Sequence, residues 1–116
     1  MNIEDVRLEC VSCHPAVEET FPFDDTNLVM KIGGKMFALL PLDNPDTISL
    51  KCDPALAVEL RERYAGINPA WHFNKVHWIQ IDISSVPDDV IRAQVAMSFS
   101  LVADKLTRKA KASLGL

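Results

Sequence analysis

Residues 27–42 form two mostly apolar runs whose side chains we assign to alternate faces, a pattern that predicts two β-strands. Gly33-Gly34 separates the two strands, and paired glycines accept the positive φ angles that a tight hairpin turn requires. Leu28, Met30 and Ile32 alternate with Val29 and Lys31 before the turn, and Met36, Ala38 and Leu40 alternate with Phe37 and Leu39 after it. Residues 47–52 predict a third strand, with Ile48, Leu50 and Cys52 inward and Thr47, Ser49 and Lys51 outward.

Helical spacing of apolar residues predicts three helices. The first begins at the N-cap Asn2 and ends before His14-Pro15, because a residue that precedes proline avoids the α region. The second begins at Asp53-Pro54, and the third follows Ser85-Val86-Pro87-Asp88, which matches a capping box. Their inward stripes are Ile3, Val6, Cys10 and Cys13 in the first, Leu56, Leu60 and Tyr64 in the second, and Ile91, Val95, Phe99, Val102 and Leu106 in the third.

An aromatic and histidine-bearing segment, residues 71–78, predicts a second hairpin whose return strand continues to Ile83. A two-residue turn at Asn74-Lys75 would place His72 opposite His77 and Trp71 opposite Trp78. The alternation then puts both histidines on the core side and the tryptophans outside. Lysine is a poor second residue in such a turn, so a longer loop or a bulge would reverse the assignment.

These elements follow one another in the order α-β-β-β-α-β-β-α. Strands that are joined by short turns predict an α+β fold, in which helices cover one side of an antiparallel five-stranded sheet. We expect residues 18–26 to form an irregular loop, and residues 1–116 to form one domain that ends in a basic tail, 105–116.

Charge is distributed unevenly along the chain, whose net charge is −4. The first 25 residues are strongly acidic and the tail is basic, which is unlike the uniformly basic footprint of a dedicated nucleic-acid binder but permits a local basic face. The chain has no apolar run long enough to span a membrane, and acids stand where a secretory signal would carry basic residues. We therefore expect a cytoplasmic protein with three reduced cysteines.

Cys10-Val11-Ser12-Cys13-His14 has the spacing of a haem c attachment motif. Both cysteines lie on the inward stripe of the first helix, so we interpret them as small buried hydrophobes. A zinc site built from Cys10, Cys13, His72 and His77 would need ligands that are far apart in the sequence. Cys52 faces inward and is a poor nucleophile there. We expect no catalytic group, metal or cofactor.

Three segments in order resemble the MmcQ/YjbR family of small bacterial proteins. They are Lys31-Ile32-Gly33-Gly34-Lys35-Met36-Phe37-Ala38, Ser49-Leu50-Lys51-Cys52-Asp53-Pro54 and His72-Phe73-Asn74-Lys75-Val76-His77-Trp78. The resemblance extends from the first helix to about Leu106. It implies a two-layer α-β3-α-β2-α fold like that of secretion chaperones, and it implies DNA binding.

The candidate binding residues are the outward lysines of the sheet with the neighbouring aromatic segment. They are Lys31, Lys35, Lys51, Lys75, Trp78, His72 and His77. Lysines that flank an indole can contact phosphates while the ring stacks on a base. We therefore expect a non-enzymatic protein that binds nucleic acid, helped by Lys105, Arg108, Lys109 and Lys111. The alternatives are a protein or peptide partner and a small anionic metabolite.

Overall fold

The computed structural model describes residues 1–70 and 73–116, and within them the chain forms four helices and six strands. The helices are α1 (Ile3–Ser12), α2 (Pro54–Arg63), α3 (Asp88–Ala103) and α4 (Arg108–Leu114). The strands are β1 (Glu18–Thr20), β2 (Asn27–Ile32), β3 (Lys35–Pro41), β4 (Thr47–Lys51), β5 (Ile67–Pro69) and β6 (Trp78–Asp82). All strand pairs are antiparallel, in the order β1-β2-β3-β4-β6-β5. The predicted α+β class and antiparallel sheet are confirmed.

Two short elements make the predicted α-β3-α-β2-α order and the five-stranded sheet wrong. Residues 18–20 form the edge strand β1, where Thr20 Oγ1 donates a hydrogen bond of 2.9 Å to the Val29 carbonyl. This strand has no apolar alternation, so it gave no sequence signal. The tail folds into α4. The helix begins after Thr107, whose hydroxyl accepts from Ala110 N at 3.1 Å, and it ends at Leu114, before the C-cap Gly115 with φ +77°.

The Gly33-Gly34 hairpin is confirmed, with φ +59° and +78°, but the strict alternation predicted for β3 is not. The register shifts between Met30 and Lys31, so that Phe37 has no partner on β2 and forms a β-bulge. Phe37 is therefore fully buried against Phe99 of α3, with ring centroids 5.5 Å apart.

The helices and one face of the sheet share a single core. In β4, Ile48 and Leu50 face this core opposite Ile81 and Ile79, as predicted, and Cys52 is buried just after the strand. Residues at the alternate positions face away from the core. In strands β4 and β6 they form the cross-strand pairs Thr47 with Asp82, Ser49 with Gln80 and Lys51 with Trp78.

Two of the three predicted helix starts are confirmed by their caps. Asn2 caps α1 in a reciprocal capping box with Asp5, and the Asp53 carboxylate accepts from Leu56 N at the start of α2, as expected. The capping box predicted for α3 is wrong, because the N-cap is Pro87, without a side-chain hydrogen bond. The third helix also ends earlier than predicted, at Ala103, and Leu106 follows it in a turn.

The second hairpin differs most from its prediction. Strand β5 ends at Pro69 opposite Ile79, so the connection is a long loop and not a two-residue turn at Asn74-Lys75. Within this loop, the carbonyl of Asn74 accepts from His77 N at 3.1 Å and from Trp78 N at 3.0 Å. Trp71 and His72 lie outside the described residues, so their predicted pairings with Trp78 and His77 do too.

The predicted faces of this segment are partly wrong. His77 is exposed and does not lie on the core side. Trp78 shares the face of Gln80, as expected, but only 9% of its surface is exposed. The ring of Phe73 stacks on Trp78 with centroids 4.7 Å apart, so the long loop itself covers the indole.

Candidate functional site

Strands β3 and β4 separate near the Gly33-Gly34 end of the sheet. Their pairing consists of Ala38 with Leu50 and Leu39 with Ser49. At the next position, the buried hydroxyl of Ser98 in α3 lies between the strands. It accepts a hydrogen bond of 2.9 Å from Lys51 N and donates one to the Phe37 carbonyl. The helix therefore satisfies backbone groups that the sheet leaves unpaired, which allows the strands to diverge.

A pocket of about 330 Å³ lies where the strands have separated. Its lining residues are Lys35 and Met36 from β3, Lys51 from β4, Trp78 from β6, and Val102, Lys105 and Leu106 from the end of α3 and the following turn. Apolar groups form the greater part of this surface, and lysines stand around it. The pocket is thus suited to a ligand that has an apolar body and a negative charge.

Leu106 is held in the pocket wall by close packing against the hairpin turn. A Cβ atom added at Gly33 would lie 2.8 Å from both terminal methyl carbons of Leu106. At Gly34 the same addition would meet no atom within 4 Å. The absence of a side chain at Gly33 therefore allows the segment after α3 to close one side of the pocket.

The lysines of this pocket have no ion-pair partner among the described residues. None of the described lining residues is acidic, and Lys35, Lys51 and Lys105 form no ion pair within residues 1–70 and 73–116. Burial, and then the nearby charge of Lys105, lowers the pKa of Lys51. An anion bound between these two lysines would relieve their mutual repulsion.

The other lysines gather at the same end of the molecule. Lys31 is next to the last residue of β2, Lys75 lies in the turn before β6, and α4 begins two residues after Leu106. We call this region the basic end, and define it by Lys31, Lys35, Lys51, Lys75, Lys105, Lys109 and Lys111, which are all the lysines of the chain. Many acidic residues lie at the opposite ends of the same strands and of α3, among them Asp43, Asp46, Asp82, Asp88 and Asp89.

Of the residues predicted for binding, Lys35, Lys51 and Trp78 come together in the pocket. Lys31 is half-buried opposite Glu18 and Met36, while Lys75 and His77 are exposed in the turn before β6, outside the pocket lining. His72 lies outside the described residues.

Sequence reasoning missed the part of the wall that comes from α3 and the residues after it. Val102 and Leu106 were assigned to the core face, and Lys105 to a basic tail. These residues lie close to Lys51 because of how the end of α3 packs against the sheet. The hydrophobic pattern of the sequence does not reveal that packing.

The sheet face that points away from the helices is mostly neutral. A second cavity of about 330 Å³ lies there, lined by Phe23, Asn27, Leu39 and Phe73. Ser49 and Gln80 line a neighbouring cavity on the same face. The lysines therefore lie beside this face, at its end, and not across it.

The side chains of Cys10, Cys13 and His14 are engaged in local contacts. Burial raises the pKa of both Cys10 and Cys13, and His14 Nδ1 accepts a hydrogen bond of 3.0 Å from Ala16 N. Among the described residues, no group of three His, Cys, Asp or Glu side chains is placed to hold a metal ion. Within the same part of the chain, no helix is long and apolar enough to cross a membrane.

Solved structures share this fold. A Deinococcus radiodurans protein, DR2400, with the family domain DUF419, superposes with a TM-score of 0.90 and is 36% identical, over 98% of this chain and 88% of its own. A Pseudomonas syringae protein has a TM-score of 0.75 over 88% of this chain and 99% of its own, and at 24% identity it supports the fold alone.

Sequence comparison identifies the family. The protein YbdF of Escherichia coli O157:H7 is 35% identical over 97 residues, which cover 82% of this chain and 80% of YbdF. YjbR of Escherichia coli K12 is 29% identical over 108 residues, which cover 91% of each chain. The YjbR family model matches residues 14–101. The resemblance seen in the three sequence segments is therefore confirmed, and this chain belongs to the YjbR family.

Proposed function

We propose that this protein is a non-enzymatic DNA-binding protein that contacts the phosphate backbone with its basic end. The observation that carries the proposal is the gathering of every lysine of the chain at one end of the sheet. Lysines that neutralise phosphates release condensed counterions, and this release supplies most of the affinity for a strand of any sequence.

The net charge of −4 is compatible with this proposal because every lysine lies at the basic end, whereas many of the acids lie at the far end. Glu18, Asp53 and Asp104 are acids that lie beside the lysines. Binding depends on the local potential, which extends about 10 Å at ordinary ionic strength, and not on the sum over the molecule. The acids at the far end, such as Asp43 and Asp88, would turn away from a polyanion and orient the protein during encounter. The proposal also keeps the predicted cytoplasmic location, where bacterial DNA lies.

The pocket beside the lysines favours a single strand over a duplex. Met36, Trp78 and Leu106 provide apolar surface that an unstacked base can contact, whereas a base inside a duplex cannot reach it. Lysine contacts to phosphates carry no sequence information, so we expect little sequence preference.

Fluorescence-anisotropy titrations of labelled single- and double-stranded oligonucleotides test the proposal. We expect binding at about 50 mM salt that weakens steeply by about 200 mM, with the single strand bound more tightly. Lys105→Gln should lower the slope of log K against log salt by about one. Arg63→Gln is a matched control, because Arg63 ends α2 near Gly66 and Asp82, away from the basic end. Absence of binding at low salt, or equal losses in both variants, would contradict the proposal.

A second candidate function is binding of an apolar peptide on the neutral sheet face. The observation that favours it is the cavity between Phe23 and Phe73, where 64% of the Phe23 surface is exposed. Co-purification of one stable protein partner that is lost in Phe23→Ser, but kept in Lys105→Gln, would support this function. The opposite dependence on the two substitutions would exclude it.

A further inference from the structure

We propose that the pocket between the separated ends of β3 and β4 binds a phosphate monoester that carries an apolar or aromatic body. This inference concerns the basic end, but it does not require that a strand binds there. It assigns the charged head of the ligand to Lys35, Lys51 and Lys105, and its body to Met36, Trp78 and Leu106.

The lysines explain why the head should be a phosphate monoester. Such a group carries a charge of about −1.5 to −2 at neutral pH and offers three strong acceptor oxygens. A carboxylate or an internal phosphodiester carries only one negative charge. The lining has cations and, among its described residues, no carboxylate, so a doubly charged head matches it better. Lys51 and Lys105 are close enough to repel each other, and a dianion between them removes that repulsion.

The apolar wall explains why inorganic phosphate alone is a poor match. Met36, Val102 and Leu106 present hydrocarbon, and Trp78 presents the part of its indole that Phe73 does not cover. A volume of about 330 Å³ lies at the small end of the range for organic ligands and leaves room for more than a phosphate group. Displacing water from this wall adds affinity in proportion to the apolar area covered.

The pocket is also anchored on rigid elements. Lys51 is the last residue of β4, one position beyond its last pairing with β3, and its backbone N–H is fixed by Ser98 of α3. Trp78 is the first residue of β6, directly opposite Lys51. The head-binding and body-binding groups thus keep their spacing before a ligand arrives, which reduces the entropic cost of binding.

Calorimetric titration with phenyl phosphate tests the inference, with inorganic phosphate and phenol as partial ligands. We expect phenyl phosphate to bind at least about tenfold more tightly than either partial ligand, because only it uses both parts of the site. Lys51→Gln and the exposed Lys105→Gln should each weaken it about tenfold. Lys109→Gln makes the same change of charge at the basic end but outside the pocket lining. The affinity of this variant for phenyl phosphate should stay within about twofold of the unsubstituted protein.

Several outcomes would overturn the inference. They are no binding of phenyl phosphate, equal binding of inorganic phosphate, or an equal loss in Lys109→Gln. Circular dichroism of each variant checks the fold, and Lys105→Gln keeps the test decisive if Lys51→Gln is unstable.

Oligonucleotides with a 5′-phosphate or a 5′-hydroxyl distinguish the two sources of such a ligand. Tighter binding of the phosphorylated strand, lost in Lys51→Gln, would assign the pocket to a strand end. Equal binding of both strands, with phenyl phosphate still bound, would assign it to a free small molecule. Binding of oligonucleotides without binding of phenyl phosphate would overturn this inference and leave the proposed function intact. Binding of phenyl phosphate without binding of oligonucleotides would support this inference and contradict the proposed function.

Discussion

The backbone N–H of Lys51 donates a hydrogen bond of 2.9 Å to the side-chain hydroxyl of Ser98. At this position the partner of β4 on the side of β3 is therefore helix α3 and not strand β3. Because Ser98 also donates to the Phe37 carbonyl, one hydroxyl replaces the direct contact between two strands. The strands can then part without leaving buried backbone groups unpaired, and the pocket beside Lys51 opens between them.

Ser98→Ala should lower the free energy of unfolding by about 1–3 kcal/mol, because it leaves a buried donor and a buried acceptor unsatisfied. Urea denaturation measures this change. Ser100→Ala is the matched control, since Ser100 is exposed on the same helix and should change stability by less than about 0.5 kcal/mol. Equal effects of the two substitutions would show that the bridge does not stabilise the protein.

Gly33→Ala should disturb the pocket more than Gly34→Ala does. Both positions have positive φ, so both substitutions cost about 1–2 kcal/mol in backbone strain. Only at position 33 would the new methyl group also meet the methyl carbons of Leu106, so this side chain of the pocket wall must shift. The comparison measures the affinity for phenyl phosphate in the two variants. A larger loss in Gly34→Ala would contradict the described packing.

Stability should fall as the pH rises from about 9 to about 11, in part because of Cys52. Burial, and then the charge of Asp53, raises the pKa of Cys52 to about 11. An unfolded thiol titrates near pH 8.5, so in this window the unfolded chain has lost a proton that the folded chain retains. Cys52→Ala should therefore show a shallower decrease of unfolding free energy over this window. An unchanged slope would show that Cys52 ionises equally in both states.

The sequence predicts the sheet well wherever one pattern controls the local structure. Residues 47–52 alternate because one side is buried, and Gly33-Gly34 marks its turn because positive φ suits glycine. Phe37 departs from the pattern because a bulge adds one residue to β3, and alternation alone cannot reveal an added residue.

The candidate site is less predictable, because it depends on contacts between distant elements. Lys35, Lys51 and Trp78 were predicted together from the outward pattern of the sheet. Lys105 and Leu106 join them only because Leu106 packs on Gly33, a contact between residues far apart in the chain. The predicted two-residue turn at Asn74-Lys75 is wrong and the alternative of a longer loop is the one found, because Asn74 accepts hydrogen bonds locally from Val76, His77 and Trp78.

The most direct test of the central claim is a map of backbone amide chemical shifts while single-stranded DNA is added at low salt. We predict that the shifts concentrate at the basic end, in residues 31–36, 51–53 and 102–111, and disappear as salt is raised. Shifts that concentrate instead around Phe23, Leu39 and Gln80 on the neutral sheet face, or no shifts at all, would contradict DNA binding through the basic end.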